Sequence, residues 1–142
     1  MTICLGFDYG VKKIGVAVGD TDTHIANALT TVSAIKQKTG WAEITKLVDT
    51  WQPKLMIVGI SRQEDGSDND VTPRMIRFSR QLEGRYACPV ELFDETLTTF
   101  EAKQMLFDEV QVSATKLWQV QDQLAAQLIL QSWLNHQQLS NK

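Results

Sequence analysis

The fold is decided by Thr2-Ile-Cys-Leu-Gly-Phe7, Asp8-Tyr-Gly-Val-Lys-Lys13 and Ile14-Gly-Val-Ala-Val18, three consecutive segments at the beginning of the sequence. The first and third segments are apolar runs of strand length, and the second has the composition of a turn. Two strands joined by so short a connection predict an antiparallel hairpin. The remaining elements are predicted around this hairpin.

The rest of the sequence predicts three further strands and four helices. They are a strand at 28–32, a helix at 40–51, a strand at 55–60, a helix at 72–84, a strand at 89–93, a short helix at 98–107 and a long helix at 115–136. The polar segment 19–27 is predicted to be a loop. The order β-β-β-α-β-α-β-α-α combines a meander with βαβ crossovers, which predicts an α/β fold with a mixed sheet and helices on both faces.

Length and composition predict one soluble domain. The chain has 142 residues, 43% of them hydrophobic and 22% charged, so residues 1–142 are expected to form a single domain with a frayed tail at 137–142. No apolar run is long enough to cross a bilayer, and no secretory signal is visible, so we expect a cytoplasmic protein without membrane contact. Cys4 and Cys88 match no metal or redox motif and are expected to be reduced and buried.

The net charge of −3 argues against a surface coated with nucleic acid. It leaves room for a local basic face. It also fits a site where several carboxylates cluster around a cation.

Acidic residues stand where a metal site would need them. Asp8 follows the first strand, and Asp94 and Glu95 follow the strand that ends at Phe93. Asp122 lies on the otherwise apolar stripe of the last helix, where an unpaired acid is costly to bury. Ligands of open α/β sheets bind beyond the carboxyl ends of the strands. Acids meeting there would hold a hard divalent cation and predict metal-assisted attack on a phosphodiester.

Each acid also has a structural interpretation. Asp8 is a residue type that stabilises its own turn. Asp94 and Glu95 are adjacent in an extended segment and point to opposite sides, so one of them is expected to face the site. Asp122 lies near a helix N-terminus, where an acid is favoured by the helix dipole.

Basic residues near these acids predict contacts with a nucleic-acid backbone. Lys12 and Lys13 lie beside Asp8, and Arg62 lies in the loop after the strand at 55–60. Arg74 and Arg77 are the first two members of an i, i+3, i+6 series that ends at Arg80. Such a series is a candidate track for phosphates, although a solvated helix face has the same pattern.

Four blocks of the sequence, in order, resemble the YqgF/RuvX family. The blocks are Gly6-Phe-Asp-Tyr-Gly-Val-Lys-Lys-Ile-Gly-Val-Ala-Val18, Ile57-Val-Gly59 with Asp65-Gly66, Asp94-Glu-Thr-Leu-Thr-Thr-Phe-Glu-Ala102, and Asp122 with Leu124-Ala-Ala126 and Leu128-Ile-Leu-Gln-Ser-Trp-Leu134. Together they span nearly the whole chain.

The resemblance implies a ribonuclease H-like domain with a mixed five-stranded sheet, strand order 3-2-1-4-5, and strand 2 antiparallel. It implies a cytoplasmic bacterial nuclease that matures the 5′ end of pre-16S ribosomal RNA. Asp8, Glu95 and Asp122 would be the catalytic acids and would bind Mg²⁺ or Mn²⁺, with Asp94 as a neighbouring candidate ligand. Structured RNA is the expected partner of a monomer or weak homodimer.

Three other functions fit the same sequence. A Holliday-junction resolvase would use the same acids on DNA. A ribosome-assembly factor would bind RNA without cutting it. A phosphotransferase of the actin and sugar-kinase type also begins with an Asp-x-Gly hairpin, but it needs two such halves around a cleft.

The chain departs from the family pattern at two positions. Thr96 stands where the family commonly has Arg, and Ile60-Ser61 stands where it commonly has Leu-Pro. The first departure weakens the expectation that this position binds the scissile phosphate. The acids themselves are unchanged.

Overall fold

The structure is a computed structural model that describes residues 2–10, 13–33, 40–60, 72–94 and 114–140. In the last range, side chains are described from 123 to 137. The described elements are β1 (Ile3–Tyr9), β2 (Lys13–Asp20), β3 (Ile25–Ser33), α1 (Trp41–Trp51), β4 (Leu55–Ile60), α2 (Thr72–Tyr86), β5 (Val90–Asp94) and α3 (Ala114–Ser140).

The five strands form one mixed sheet in the order β3-β2-β1-β4-β5. The hairpin pairs β1 antiparallel to β2, and β3 continues the meander on the other side of β2. On the opposite side of β1, β4 and β5 are added in parallel. The predicted strand order and the antiparallel orientation of strand 2 are confirmed.

The central strand β1 is covered on both faces. Leu5 and Phe7 belong to a core cluster that packs under α1 and α2, whereas Cys4 belongs to a second cluster under α3. This explains why residues 4–7 form a continuous buried run instead of an alternating pattern.

Two glycines allow α3 to approach the sheet closely. A Cβ added at Gly6 would lie 2.8 Å from the Cβ of Leu130 and 3.4 Å from the carbonyl oxygen of Ala126. A Cβ at Gly19 would lie 3.0 Å from Leu130 Cδ2 and 3.1 Å from Leu134 Cδ1. The helix therefore comes close to the sheet backbone at these two positions, beside the small side chains of Cys4 and Ala17.

Polar side chains of α3 reach both edge strands. Gln131 accepts a hydrogen bond of 2.9 Å from the backbone N–H of Ala26 and donates one of 2.7 Å to the carbonyl of His24. Gln127 donates to the carbonyl of Ala26 at 3.0 Å. Towards the other edge, the indole N–H of Trp133 donates to the Glu91 carboxylate of β5 at 2.7 Å. One helix thus fixes β3 and β5 at the same time.

Some predicted boundaries differ from the structure. The loop prediction for 19–27 is wrong at both ends, because β2 continues to Asp20 and β3 begins at Ile25. The beginning of β3 lies at an exposed edge, where Ile25 is 55% exposed and Asn27 is also exposed, so its sequence lacks the continuous apolar run of a strand buried on both faces. Helix α3 extends to Ser140, so residues 137–140 are helical where a frayed tail was expected. The predicted helix at 98–107 lies outside the described residues.

Cys4 and Cys88 are both free and buried, as predicted. No helix in the described ranges is long and apolar enough to cross a membrane.

Candidate active site

Asp8 lies at the carboxyl end of β1 and on the face of the sheet that α3 covers. Side chains alternate along a strand, and Phe7 packs in the cluster under α1 and α2. Asp8 therefore shares the face of Cys4 and Gly6, and it is half-buried. Because β4 and β5 run parallel to β1, their carboxyl ends meet at the same edge of the sheet.

Asp8 is flanked by glycine on both neighbouring strands. In the strand pairing, Asp8 lies opposite Gly15 on β2 and Gly59 on β4. Neither paired residue has a side chain beside the carboxylate. The same cross-strand row continues to Thr31 on β3 and to Phe93 on β5. Neighbouring strands are about 4.8 Å apart, so the nearest strand side chains in this row, Thr31 and Phe93, lie about 10 Å from Asp8 on either side.

Thr31, at one end of this row, carries a buried hydroxyl. Among the described residues, its Oγ1 is a buried side-chain oxygen without a hydrogen-bond partner. The register places Thr31 on the same face as Asp8, with Gly15 between them. An unpaired buried hydroxyl is unfavourable.

Asp94 lies on the other face of β5. Phe93 is buried in the cluster under α3, and the next residue in the strand points the opposite way. Strand alternation thus separates Asp94 from the face of Asp8, and an extended chain would return residue 95 to that face. Glu95 itself lies outside the described residues.

Helix α3 brings Asp122 towards the same end of β1. Gly19 and Gly6 face successive turns of the helix, with Leu134 and Leu130 near Gly19, and Leu130 and Ala126 near Gly6. Moving from Gly6 to Asp8 advances about 6.6 Å along the strand. Moving back from Ala126 to position 122 covers about 6 Å along the helix. The backbone of Asp122 is in α3, and its side chain lies outside those described.

The apolar stripe predicted for the last helix is largely confirmed. Ala126, Ile129 and Trp133 are buried against the sheet, and Ala125 is half-buried at the margin of this face. Position 122 is four residues before Ala126, and this spacing places it on the same face of the helix.

The predicted cationic residues divide between two locations. Lys13 begins β2 at the edge where Asp8 lies, and its backbone lies close to Gly10, where an added Cβ would be 2.6 Å from the Lys13 carbonyl oxygen. Arg74 and Arg77 are exposed on α2, which packs on the opposite face. Lys12 and Arg62 lie outside the described residues.

Two other features of the described part are separate from Asp8. A cavity of about 240 Å³ lies on the α1 face of β3, where it is lined by Thr30, Val32, Glu43, Lys46, Leu47 and Thr50. Burial, and secondarily the charge of Asp20, raises the pKa of the Cys4 thiol to about 11, so this thiol is protonated at neutral pH. Neither feature brings a reactive group to the sheet edge.

The strand register reveals site residues that the sequence pattern did not. Gly15 and Gly59 lie in the blocks that carry the family resemblance, but the sequence does not indicate that both are paired with Asp8. Thr31 lay within a predicted strand without a distinguishing signal. Glycines that align across three strands are visible once the register is known.

The sequence was compared with protein families and with curated proteins. A family model described as "RuvX: Holliday junction resolvase" matches residues 2–136. A protein of Methylococcus capsulatus is 47% identical over 131 residues, which are 92% of this chain and 87% of that protein. A protein of Nitrosococcus oceani is 46% identical over 136 residues, covering 96% of this chain and 88% of that protein. Both relatives are named "Putative pre-16S rRNA nuclease".

Solved structures share the fold at low sequence identity. The fowlpox virus resolvase in complex with Holliday junction DNA gives a TM-score of 0.61 at 15% identity and covers 96% of this chain and 99% of that chain. The T. thermophilus RuvC complex with a Holliday junction gives 0.56 at 14% identity and covers 97% and 96%. The predicted ribonuclease H-like fold is confirmed by these resolvase structures.

Proposed function

The chain belongs to the RuvX family, and from that premise we propose that it is a divalent-metal-dependent nuclease acting on the 5′ end of pre-16S ribosomal RNA. The names of its relatives support this substrate. The two relatives are nearly the same length as this chain and are 46–47% identical to it. Such a substrate would place the protein in the cytoplasm.

The observation that carries the proposal is the position of Asp8 between Gly15 and Gly59. An acid at the carboxyl end of a central strand, paired with a residue that has no side chain on both adjacent strands, is suited to a ligand that must approach the backbone closely. A structural role in the turn would not require glycine in both adjacent strands.

Oxygen donors of this kind suit Mg²⁺ or Mn²⁺. We assign the metal to Asp8, Glu95 and Asp122, since Asp8 shares the face of α3 and Asp94 lies on the other side of β5. Asp94 is kept as an alternative ligand. When bound, the cation would polarise the phosphate and stabilise the negative charge that develops during hydrolysis.

The basic residues would hold the substrate. Lys13 begins β2 at the edge where Asp8 lies, and Lys12 and Arg62 follow β1 and β4 in the sequence. Contacts from these side chains to neighbouring phosphates would fix the position of the scissile bond without reading the base sequence. Arg74 and Arg77 would contact the RNA farther from this bond.

The test is cleavage of a pre-16S leader RNA with Mg²⁺ or Mn²⁺ by the native chain and by two matched variants. Asp8→Asn should abolish cleavage. Asp49→Asn removes the same charge from an exposed position on α1 and should leave cleavage unchanged. Cleavage that persists in Asp8→Asn, or that needs no divalent cation, would contradict the proposal.

A second candidate is a Holliday-junction resolvase, favoured by the family description and by the fold shared with junction-bound resolvases. Symmetric cutting of two strands calls for a dimer. A four-way DNA junction in the same assay, with the solution mass measured in its presence, separates the candidates. A monomer that cuts RNA supports processing, and a junction-bound dimer that cuts DNA supports resolution. Metal-independent binding without any cleavage would support a non-catalytic assembly factor.

A further inference from the structure

The outer face of α2 carries a concentration of positive charge. At about 100° per residue, seven of the eight exposed positions of α2 fall within an arc of about 140°: Pro73, Arg74, Arg77, Arg80, Gln81, Gly84 and Arg85. The eighth, Glu83, borders this arc beside Arg80. We call the set of seven the α2 basic face. Four of its members are arginines, in a protein with a net charge of −3.

These arginines are poorly neutralised by the described part of the protein. Glu83 is the single acidic residue of α2. Arg74, Arg77 and Arg80 form no ion pair with another described side chain. Like charges at i, i+3 spacing repel each other, so the face favours an anionic partner.

Gly84 is unexplained by packing within the described residues. A Cβ added there would meet no atom within 4 Å. Nor does the glycine serve the end of the helix, because Ala87 is the residue that adopts the left-handed conformation, with φ of 50°. Glycine is disfavoured inside helices relative to alanine. A partner whose backbone passes close to the helix would account for it.

Arg85 marks the far end of the face. Its guanidinium lies over the ring of Trp41, 4.0 Å from the centroid. Trp41 is in turn stacked on the buried Phe78 at 5.7 Å. A guanidinium held in place by a cation–π contact loses less side-chain entropy when it binds an anion.

The N-terminal end of the α2 basic face lies towards the carboxyl end of β1, where Asp8 is found. The ring of Phe78 lies 5.1 Å from that of Tyr9, the residue after Asp8. Arg74 is one helical turn before Phe78, farther in the direction of this end of β1. From Arg74 to Arg85 the helix advances about 16 Å, which is enough to face several consecutive phosphates.

We propose that the α2 basic face binds the backbone of an RNA segment that flanks the cleavage site. This inference rests on the proposed function for the location of the cleavage site. The RNA would cross the sheet edge from the Asp8 side and continue along α2, where Arg80 and Arg85 extend the contacts of Arg74 and Arg77. Contacts of this type recognise the charge of the phosphates and do not depend on the base sequence.

The experiment measures binding separately from cleavage. All proteins carry Asp8→Asn, and a labelled pre-16S leader RNA is titrated at several salt concentrations by fluorescence anisotropy. Arg80→Gln with Arg85→Gln should lower the slope of log K against log salt by about 1.4–1.8, since each lost phosphate contact contributes about 0.7–0.9. Lys46→Gln with Lys54→Gln removes the same charge from exposed positions outside α2 and should leave the slope unchanged.

Gly84→Gln and a shortened RNA test the path. The larger side chain at position 84 should weaken RNA binding. With an RNA that lacks the flanking segment, proteins with the native and the substituted α2 basic face should bind equally. The proposal would be overturned if the arginine double variant kept the slope of log K against log salt of the parent protein, or if the arginine and lysine double variants had equal slopes. If RNA binding depends on the α2 basic face but the chain with native Asp8 cleaves no RNA, the binding proposal is supported and the proposed nuclease activity is contradicted. Cleavage without any dependence on α2 would do the reverse.

Discussion

Gly6 of β1 lies directly against Leu130 of α3, so that an added Cβ at position 6 would be 2.8 Å from the Cβ of Leu130. This contact sets how far the helix stands from the central strand. It also sets the separation between Asp8, two residues along β1, and position 122, two turns before Leu130. Packing at Gly6 is thereby linked to the geometry of the proposed site.

Gly6→Ala should separate α3 from the sheet. Overpacking of this kind costs about 1–3 kcal/mol, and we expect the free energy of unfolding to fall by that amount. Cleavage should fall more than the folded fraction does, because the acids would move apart. Urea unfolding and single-turnover cleavage on the same preparation measure the two effects.

Gly84→Ala is the control for the unfolding measurement, since it makes the same chemical change on a helix surface where a Cβ would meet no atom within 4 Å. It should raise the free energy of unfolding by about 0.5–1 kcal/mol. Equal effects of the two substitutions would show that the contact between Gly6 and Leu130 does not limit the approach of α3.

Thr31→Val should stabilise the protein. The hydroxyl is buried without a partner among the described residues, and an apolar group of the same shape removes the cost of burying it. We expect a gain of about 1 kcal/mol in urea unfolding. Thr30→Val, on the opposite face of β3, serves as the comparison and should change stability less. A loss of stability at Thr31 would reveal a partner for the hydroxyl.

Gln131→Met should loosen the edge strand β3. The substitution removes the hydrogen bonds to Ala26 and His24 and leaves their backbone groups unsatisfied. We expect a loss of about 1–3 kcal/mol, with faster amide exchange at Ala26. The exposed Gln81→Met on α2 should be nearly neutral. Unchanged exchange at Ala26 would show that this side chain does not hold the edge.

The Cys4 thiol should make stability fall at alkaline pH. Burial, and then the charge of Asp20, raises its pKa from 9.0 to about 11 in the folded state. The folded protein therefore keeps this proton more tightly than the unfolded chain does. The contribution to stability is constant below pH 9 and is lost as the pH rises from 9 towards 11. Urea midpoints across this range should fall less in Cys4→Val, and identical pH profiles for both proteins would contradict the assignment.

Much of the sheet could be predicted because its central strands are buried. The hairpin of β1 and β2, and the parallel addition of β4 and β5, follow from apolar runs and from the crossover helices between them. The beginning of β3 could not be predicted in the same way. Ile25 and Asn27 are exposed at the sheet edge while Ala26 is buried, and the backbone is paired partly by glutamines more than 100 residues later in the chain.

The candidate site was predictable in part. Asp8 follows a buried strand, and this local signal placed it at the sheet edge. The absence of a side chain on both paired residues depends on Gly15 and Gly59, which come together through strand register and are far apart in sequence. Glu95 and the side chain of Asp122 lie outside the described part, so their convergence with Asp8 stays a prediction.

The attachment of α3 to both outer strands has a consequence during translation. In the order of synthesis this helix follows all five strands, and its bonds to β3 span 101 to 107 residues. A nascent chain still held by the ribosome would display both borders of the sheet and would lack Asp122. A nuclease whose site needs Asp122 would thus be inert until α3 had been synthesised and had packed on the sheet.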